Sequence, residues 1–107
     1  MTIQNYPAIN RILQVRLNDN SVAFDLSFKA DGTMSFKDVN GAFGGLEDTV
    51  NYTVKPLAEG IFMLYWSEPK SGANVVHIHN FNSNEIYSNI SMPDQTFYNL
   101  HGTLAIK

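Results

Sequence analysis

The chain has 107 residues, 44% of them hydrophobic and 16% charged, with a formal net charge of -3 and no cysteine. That length suits one domain, 1–107, and that composition is globular rather than disordered. The acidic balance and the lack of any Lys/Arg cluster argue against nucleic acid or an anionic membrane as partner, and the missing thiols exclude disulfides, thiolate metal sites and a cysteine nucleophile.

A cysteine-free chain suits a reducing cytoplasm. The opening MTIQNYPAIN has neither the basic segment nor the apolar stretch of a signal peptide, so a cytoplasmic location is expected. No apolar run nears the ~20 residues a membrane-spanning helix needs. The sequons at Asn51-Tyr52-Thr53 and Asn89-Ile90-Ser91 then carry no glycan, since glycosylation requires secretion.

In chain order, Asn10 to Leu17 reads as a first strand, with a short amphipathic helix as the competing reading. Asn18-Asp19-Asn20 is a turn cluster. Ser21 to Lys29 alternates without a break, with Val22, Phe24, Leu26 and Phe28 on one face, and this is a strong strand signal. Ala30-Asp31-Gly32-Thr33 forms a hairpin turn into the returning strand TMSFKD. Asn40 to Gly45 is a glycine-rich loop or sharp bend. Thr49 to Lys55 is β-branched and aromatic, hence a strand, and Pro56 should end it.

From Gly60 to Leu104 three apolar runs follow one another with tight polar turns between them, and Ala105 to Lys107 extends the last run. The sum is an all-β chain of about eight short strands, arranged as a sandwich or as a closed up-and-down antiparallel barrel. Closure removes the exposed sheet edges, so the barrel is favoured.

Turn positions suggest a register. With Ser83-Asn84 and Pro93-Asp94 as loop tips, one face carries the rows His77/Ile90/Phe97, His79/Ser88/Asn99 and Phe81/Ile86/His101. A one-residue slip would change all of this. The opposite face, with Val76, Ile78, Tyr87, Tyr98, Leu100 and Leu104, is itself apolar, so the pattern leaves open which face looks inward. The His77-Ile78-His79 pair on one strand face raises a zinc reading, but His101 lies two strands away, ~9–10 Å laterally, and no metal is assigned.

The better reading is a ligand pocket in the barrel lumen, in which His77, His79, Ser88, Asn99 and His101, with Tyr65 and Trp66, orient a small molecule. The blander reading makes the histidines ordinary sheet residues. The acidic residues Asp25, Asp38, Glu47, Glu59, Glu68 and Glu85 show no paired spacing for acid–base work, and Glu68 reads as a solvated charge beside a turn. The expected function is a small-molecule-binding module without a cofactor. The alternative is a cavity enzyme, a lyase or isomerase acting on a small aromatic or polar substrate. A scaffold acting through protein contacts is the third class, and a homo-dimer is compatible with each.

The segments GIFMLYWSEP, VVHIHNF and IYSNISMPDQTFYNLHGTL resemble the W-x-E, T-H-V-x-D-F and Y-T-N-I-T-x-P-D-G-T-F…G-T-L segments of MoaF-like domains, which are lipocalin-like (calycin) β-barrels. The resemblance covers the second half well and the first half, from Asp25, by strand pattern. It implies the barrel rather than an activity, because these motifs are structural. Asn80 stands where the family tends to carry Asp, and Gln95 where it tends to carry a turn Gly. YWSEPKSG also resembles part of the phenolic acid decarboxylases, which share the barrel and act in its lumen through first-strand tyrosines, an arginine and a glutamate. Here the first strand has no tyrosine pair, Lys37 stands near the arginine's place and Thr49-Val50-Asn51 near the glutamate's, so that activity is not implied.

Overall fold

Alternating segments of the sequence become strands in the computed structural model, which describes residues 6–107. The strands are β1 (Ile12–Leu17), β2 (Val22–Phe28), β3 (Thr33–Asp38), β4 (Glu47–Asn51), β5 (Thr53–Ala58), β6 (Ile61–Ser67), β7 (Asn74–Asn80), β8 (Glu85–Ser91) and β9 (Phe97–Ile106). No helix occurs among the described residues. Of the opening stretch read above for a leader, residues 1–5 lie outside the described residues.

All nine strands join one antiparallel sheet in the order β4-β3-β2-β1-β9-β8-β7-β6-β5. Its two edge strands, β4 and β5, are consecutive in the chain. The sheet therefore curls on itself until β4 touches β6 across the seam, and the result is a nearly closed barrel. Among the described residues there are nine strands, in keeping with the expected eight or so, and the run Thr49 to Lys55 breaks at Tyr52 into two of them. The Tyr52 N–H donates to the Gly32 carbonyl (3.0 Å) and its hydroxyl to the Lys29 carbonyl (2.9 Å), which fixes the corner between the two edges.

Pro56 does not end a strand. It lies inside β5, whose free edge needs no donor, and the register shifts between Pro56 and Ala58.

One face of each long alternation fills the barrel. Leu13, Val15 and Leu17 of β1, Leu26 and Phe28 of β2, Met34 and Phe36 of β3, and Phe62, Leu64 and Trp66 of β6 are all buried. Each such side chain contributes about 1.5–3 kcal/mol by leaving water. The turn at Asn18-Asp19-Asn20 holds all three residues in the left-handed region (φ 53, 56 and 69), which Asn and Asp tolerate best among residues with a side chain.

Two turn lengths decide what faces the lumen. The Phe81-Asn82-Ser83-Asn84 loop sets His77 opposite Ser88 and His79 opposite Ile86. This is two residues from the expected register, and an even slip keeps both faces. The next loop differs by one. Met92 N–H donates to the Thr96 carbonyl (2.8 Å), so three residues, Pro93, Asp94 and Gln95, make the turn, with Gln95 at φ 74. Ser88 therefore stands opposite Leu100 rather than Asn99, Ile90 opposite Tyr98, and Ile86 opposite Gly102. The odd slip exchanges the faces of β9: Asn99 and His101 point outward, and Leu100 and Leu104 inward.

Gly102 marks the closest approach of β9 to β1, opposite Leu17. A Cβ built there would overlap the Arg16 carbonyl oxygen and lie 2.8 Å from the Leu17 Cα, both of them backbone. Gly102→Ala should therefore separate the two strands and cost about 3 kcal/mol or more, the range of the harsher single substitutions. Urea unfolding beside the wild type measures this. An unchanged midpoint would show that β9 can move away from β1 freely.

Candidate functional site

The lumen has a closed end and an open end. The segment before β1 crosses the closed end, where the Tyr6 ring packs against Phe28, Phe62 and Phe81 at centroid distances of 5.2, 5.3 and 5.6 Å. Ala8 beside it is fully buried. Edge-to-face packing of this kind suits aromatic rings and fills the floor with them.

Above the floor, four polar side chains form one continuous line. The Tyr6 hydroxyl lies 2.7 Å from His79 Nδ1, His79 Nε2 lies 3.0 Å from His77 Nδ1, and His77 Nε2 lies 2.9 Å from Ser88 Oγ. All four residues are buried. His77 and His79 lie two apart on β7 and so share a face, and Ser88 is the cross-strand neighbour of His77 on β8.

Burial shapes the protonation of this line. It lowers the His77 pKa from 6.5 to about 3, and it lowers that of His79 well below 6.5, with His77 adding to the effect. Burial, reinforced by Tyr52, raises the Tyr6 pKa well above its ordinary value. At neutral pH the line is therefore uncharged from end to end.

Trp66 of β6 packs edge-on against the His77 ring, with centroids 4.7 Å apart, and its indole N–H donates to Glu68 Oε2 at 2.9 Å. Ser71 donates to Glu68 Oε1, also at 2.9 Å. Glu68 is thus not a free solvated charge. It is half-buried and holds the turn between β6 and β7 against the tryptophan.

Between Ser88 and Glu68 lies a cavity of about 180 Å³. Its wall is mainly apolar, with Val15, Leu26, Phe36, Val75, Ile90 and Leu100 contributing. Its polar lining is limited to His77, Ser88, Glu68 and Ser71, apart from the rim residue Tyr98 and the bonded indole of Trp66.

A second carboxylate, this one buried, shapes the open end. Asp38 Oδ1 accepts the N–H groups of Asn40 (3.2 Å) and Gly41 (3.0 Å), and Oδ2 those of Phe43 (2.8 Å) and Gly45 (2.9 Å). Burial raises the carboxyl pKa, and these four donors outweigh it, leaving the group below the ordinary 3.8. The glycine-rich loop is wrapped around one side chain, and it presents Phe43 to the lumen against Phe24.

Of the residues expected at the site, His77, His79, Ser88 and Trp66 share the interior. His79 lies one step deeper than the cavity wall, bonded to Tyr6 and His77 rather than to Ser88 or Asn99. Asn99, His101 and Tyr65 do not join them. Asn99 donates to Asn89 Oδ1 on the outer face (2.8 Å). His101 stacks on Tyr87 at 4.5 Å and lies 3.4 Å from the Glu85 carboxylate. Tyr65 is exposed beside the buried Trp66, as strand alternation requires.

With His101 outside and all four ring nitrogens of His77 and His79 bonded within the line, the zinc geometry does not form. No group of three or more His, Cys, Asp or Glu side chains suited to a metal occurs among the described residues. Sequence reasoning missed Tyr6 and the roles of Asp38 and Glu68. The Glu68 contact had a signal, a glutamate two residues after the tryptophan in the W-x-E segment; Tyr6 had none.

Fold and site together define an antiparallel β-barrel with a small apolar lumen and a short buried polar line. The model of the MoaF-like family matches residues 9–105, and the chain belongs to that family. A crystal structure described as a "putative beta-lactamase" from Burkholderia vietnamiensis superposes with a TM-score of 0.86 at 24% identity, covering 94% of this chain and 96% of that one. At that identity the likeness shows the fold. No curated protein sequence matches the chain.

Two measurements follow from the buried line. Both histidines are neutral when folded and take up protons on unfolding below pH 6.5, so their stabilisation is complete above 6.5 and is lost as pH falls from there toward about 3. The loss should approach about 1.4 kcal/mol per pH unit for each histidine. Asp38, with its lowered pKa, adds a further loss only below 3.8. Denaturant unfolding between pH 7.5 and 4.5 reads the histidine part alone, and a flat profile there would contradict the buried line. Trp66→Ala should cost about 3–5 kcal/mol, because the ring is core and holds Glu68; calorimetry or urea unfolding shows it.

Proposed function

We propose that this barrel is a binding module for a small, one-ring apolar or aromatic molecule held in the lumen. The observation that carries the reading is the cavity itself, about 180 Å³ of largely apolar wall with only a few polar groups converging on it. A dry apolar cavity of about 150 Å³ accommodates benzene, so the volume suits a single substituted ring. The cysteine-free composition supports a cytoplasmic setting.

The rival reading is a cavity enzyme, and one observation favours it: Ser88 Oγ and His77 Nε2 stand 2.9 Å apart, as a nucleophile and its base would. A general base must accept the proton, however, and burial holds the His77 pKa at about 3. No carboxylate stands behind His77 to support an imidazolium; that place is taken by neutral His79. This supports binding over turnover.

The test is a thermal-shift screen of one-ring aromatics against the wild type and against Leu100→Trp, which fills the lumen from β9. A binder at a hundredfold excess over its Kd should raise stability by about 2.7 kcal/mol, with no product formed, and the gain should vanish in the filled variant. No shift from any ring compound would sink the reading. A shift accompanied by turnover would favour the enzyme.

A further inference from the structure

We infer that the buried line is polarised one way, from Tyr6 through His79 and His77 to Ser88, and that it leaves the Ser88 hydroxyl as a hydrogen-bond donor aimed into the lumen, where it selects uncharged ligands carrying a carbonyl-type acceptor at their inner end. The ligand part of this inference rests on the binding reading above. The polarity does not.

With both imidazoles neutral, the three short contacts admit only two arrangements, because each ring has one N–H and one lone pair. In the first, Tyr6 donates to His79 Nδ1, His79 Nε2–H donates to His77 Nδ1, and His77 Nε2–H donates to Ser88 Oγ. In the second every bond is reversed, Ser88 donates to His77, and both rings carry the proton on Nδ1.

Each arrangement leaves one hydroxyl proton without an acceptor, so the surroundings of the two hydroxyls decide. Among the described residues the Tyr6 hydroxyl has no second partner, and its ring is enclosed by Phe28, Phe62 and Phe81. An unpaired O–H there would be a buried orphan, with its desolvation uncompensated. Ser88, in contrast, lines the cavity, where a ligand or a water can accept from it. A phenol is also the stronger donor of the two hydroxyls. The first arrangement satisfies the floor and moves the single free donor to the wall of the chamber.

The rest of the lining narrows the ligand. Among the described residues no Lys or Arg contributes to the cavity, and the one carboxylate that does, Glu68, lies toward the mouth. Ser88 stands level with His77 and Leu64, and Glu68 is four residues beyond Leu64, roughly 13 Å along the strand. A carboxylate ligand would meet no cation and would face Glu68. A neutral ring compound with its acceptor toward Ser88 meets a donor at the inner end and apolar wall along its length, and any donor group it carries outward meets Glu68.

The closing experiment has two arms on the full chain. The ¹⁵N shifts of the imidazoles at pH 7.5 should show both His77 and His79 protonated on Nε2. Protonation of either ring on Nδ1 overturns the polarity, whether or not any ligand binds. Binding is then measured for acetophenone, its isostere α-methylstyrene, which lacks the acceptor, and benzoate. The acetophenone-to-α-methylstyrene affinity ratio should fall about fivefold in Ser88→Ala, and benzoate should bind far more weakly than acetophenone to the wild type. An unchanged ratio, or tight benzoate binding, overturns the ligand inference. If Ser88→Ala fails to fold, the carbonyl stretch of acetophenone bound to the wild type decides, a hydrogen-bonded frequency supporting the donor and a free one refuting it. If neither neutral probe binds the wild type, the binding reading falls, while the imidazole shifts still judge the polarity.

Discussion

An imidazole inside an apolar barrel can be neutral and fully hydrogen-bonded, or it can be a large liability. Two of them stand next to each other here, and the structure around them meets that constraint. Each ring nitrogen has a partner, and the partners come from three separate parts of the chain: Tyr6 from the segment before β1, the histidines from β7, and Ser88 from β8. The line thus fastens the floor plug to the sheet wall. It also fixes the register of β7 against β8, because only the pairing of His77 with Ser88 brings the hydroxyl to the imidazole.

Much of the architecture was legible from alternation alone. Ser21 to Lys29 and the runs after Gly60 have the period of strands, and only Asn10 to Leu17 also admitted a short helix, where the structure has strand β1. What alternation could not fix was parity. His77 and His79 stay on the same face for any even slip, whereas Asn99 and His101 changed faces because one turn has three residues instead of two. That turn length depends on Gln95 accepting a left-handed conformation, φ 74, which glycine adopts far more readily. A glutamine gives no local sign of this, so the sequence pattern favoured the shorter turn. Tyr6 was illegible for a different reason. It belongs to no strand, its hydrogen-bond partner His79 lies 73 residues away in sequence, and only the folded barrel brings the two together.

Polarity inside the barrel is graded along its axis. The deep end holds hydroxyl and imidazole groups that can be satisfied without charge, while both organising carboxylates, Asp38 and Glu68, lie at the open end. Desolvation accounts for the order, since an ionised carboxylate costs more to bury the further it is from water. At the mouth each carboxylate collects donors that would otherwise leave a loop without a fixed shape. Four backbone N–H groups converge on Asp38, and an indole and a hydroxyl on Glu68. The rim is therefore built from defined contacts, and Phe43 and Trp66 are held as walls of the chamber.

The same economy of parts limits what the chamber can do. A neutral, fully bonded line presents no charge to a reacting centre, and moving a proton along it would reverse every bond and strand a hydroxyl hydrogen among the aromatic rings of the floor. What such a line can provide is direction, through one oriented donor in an apolar wall. Tyr6 governs that direction from outside the chamber. Its ring packs into the aromatic floor, and its hydroxyl is the first donor of the line and so sets which way every later bond points. Ligand polarity is accordingly set by one side chain that is not part of the cavity wall.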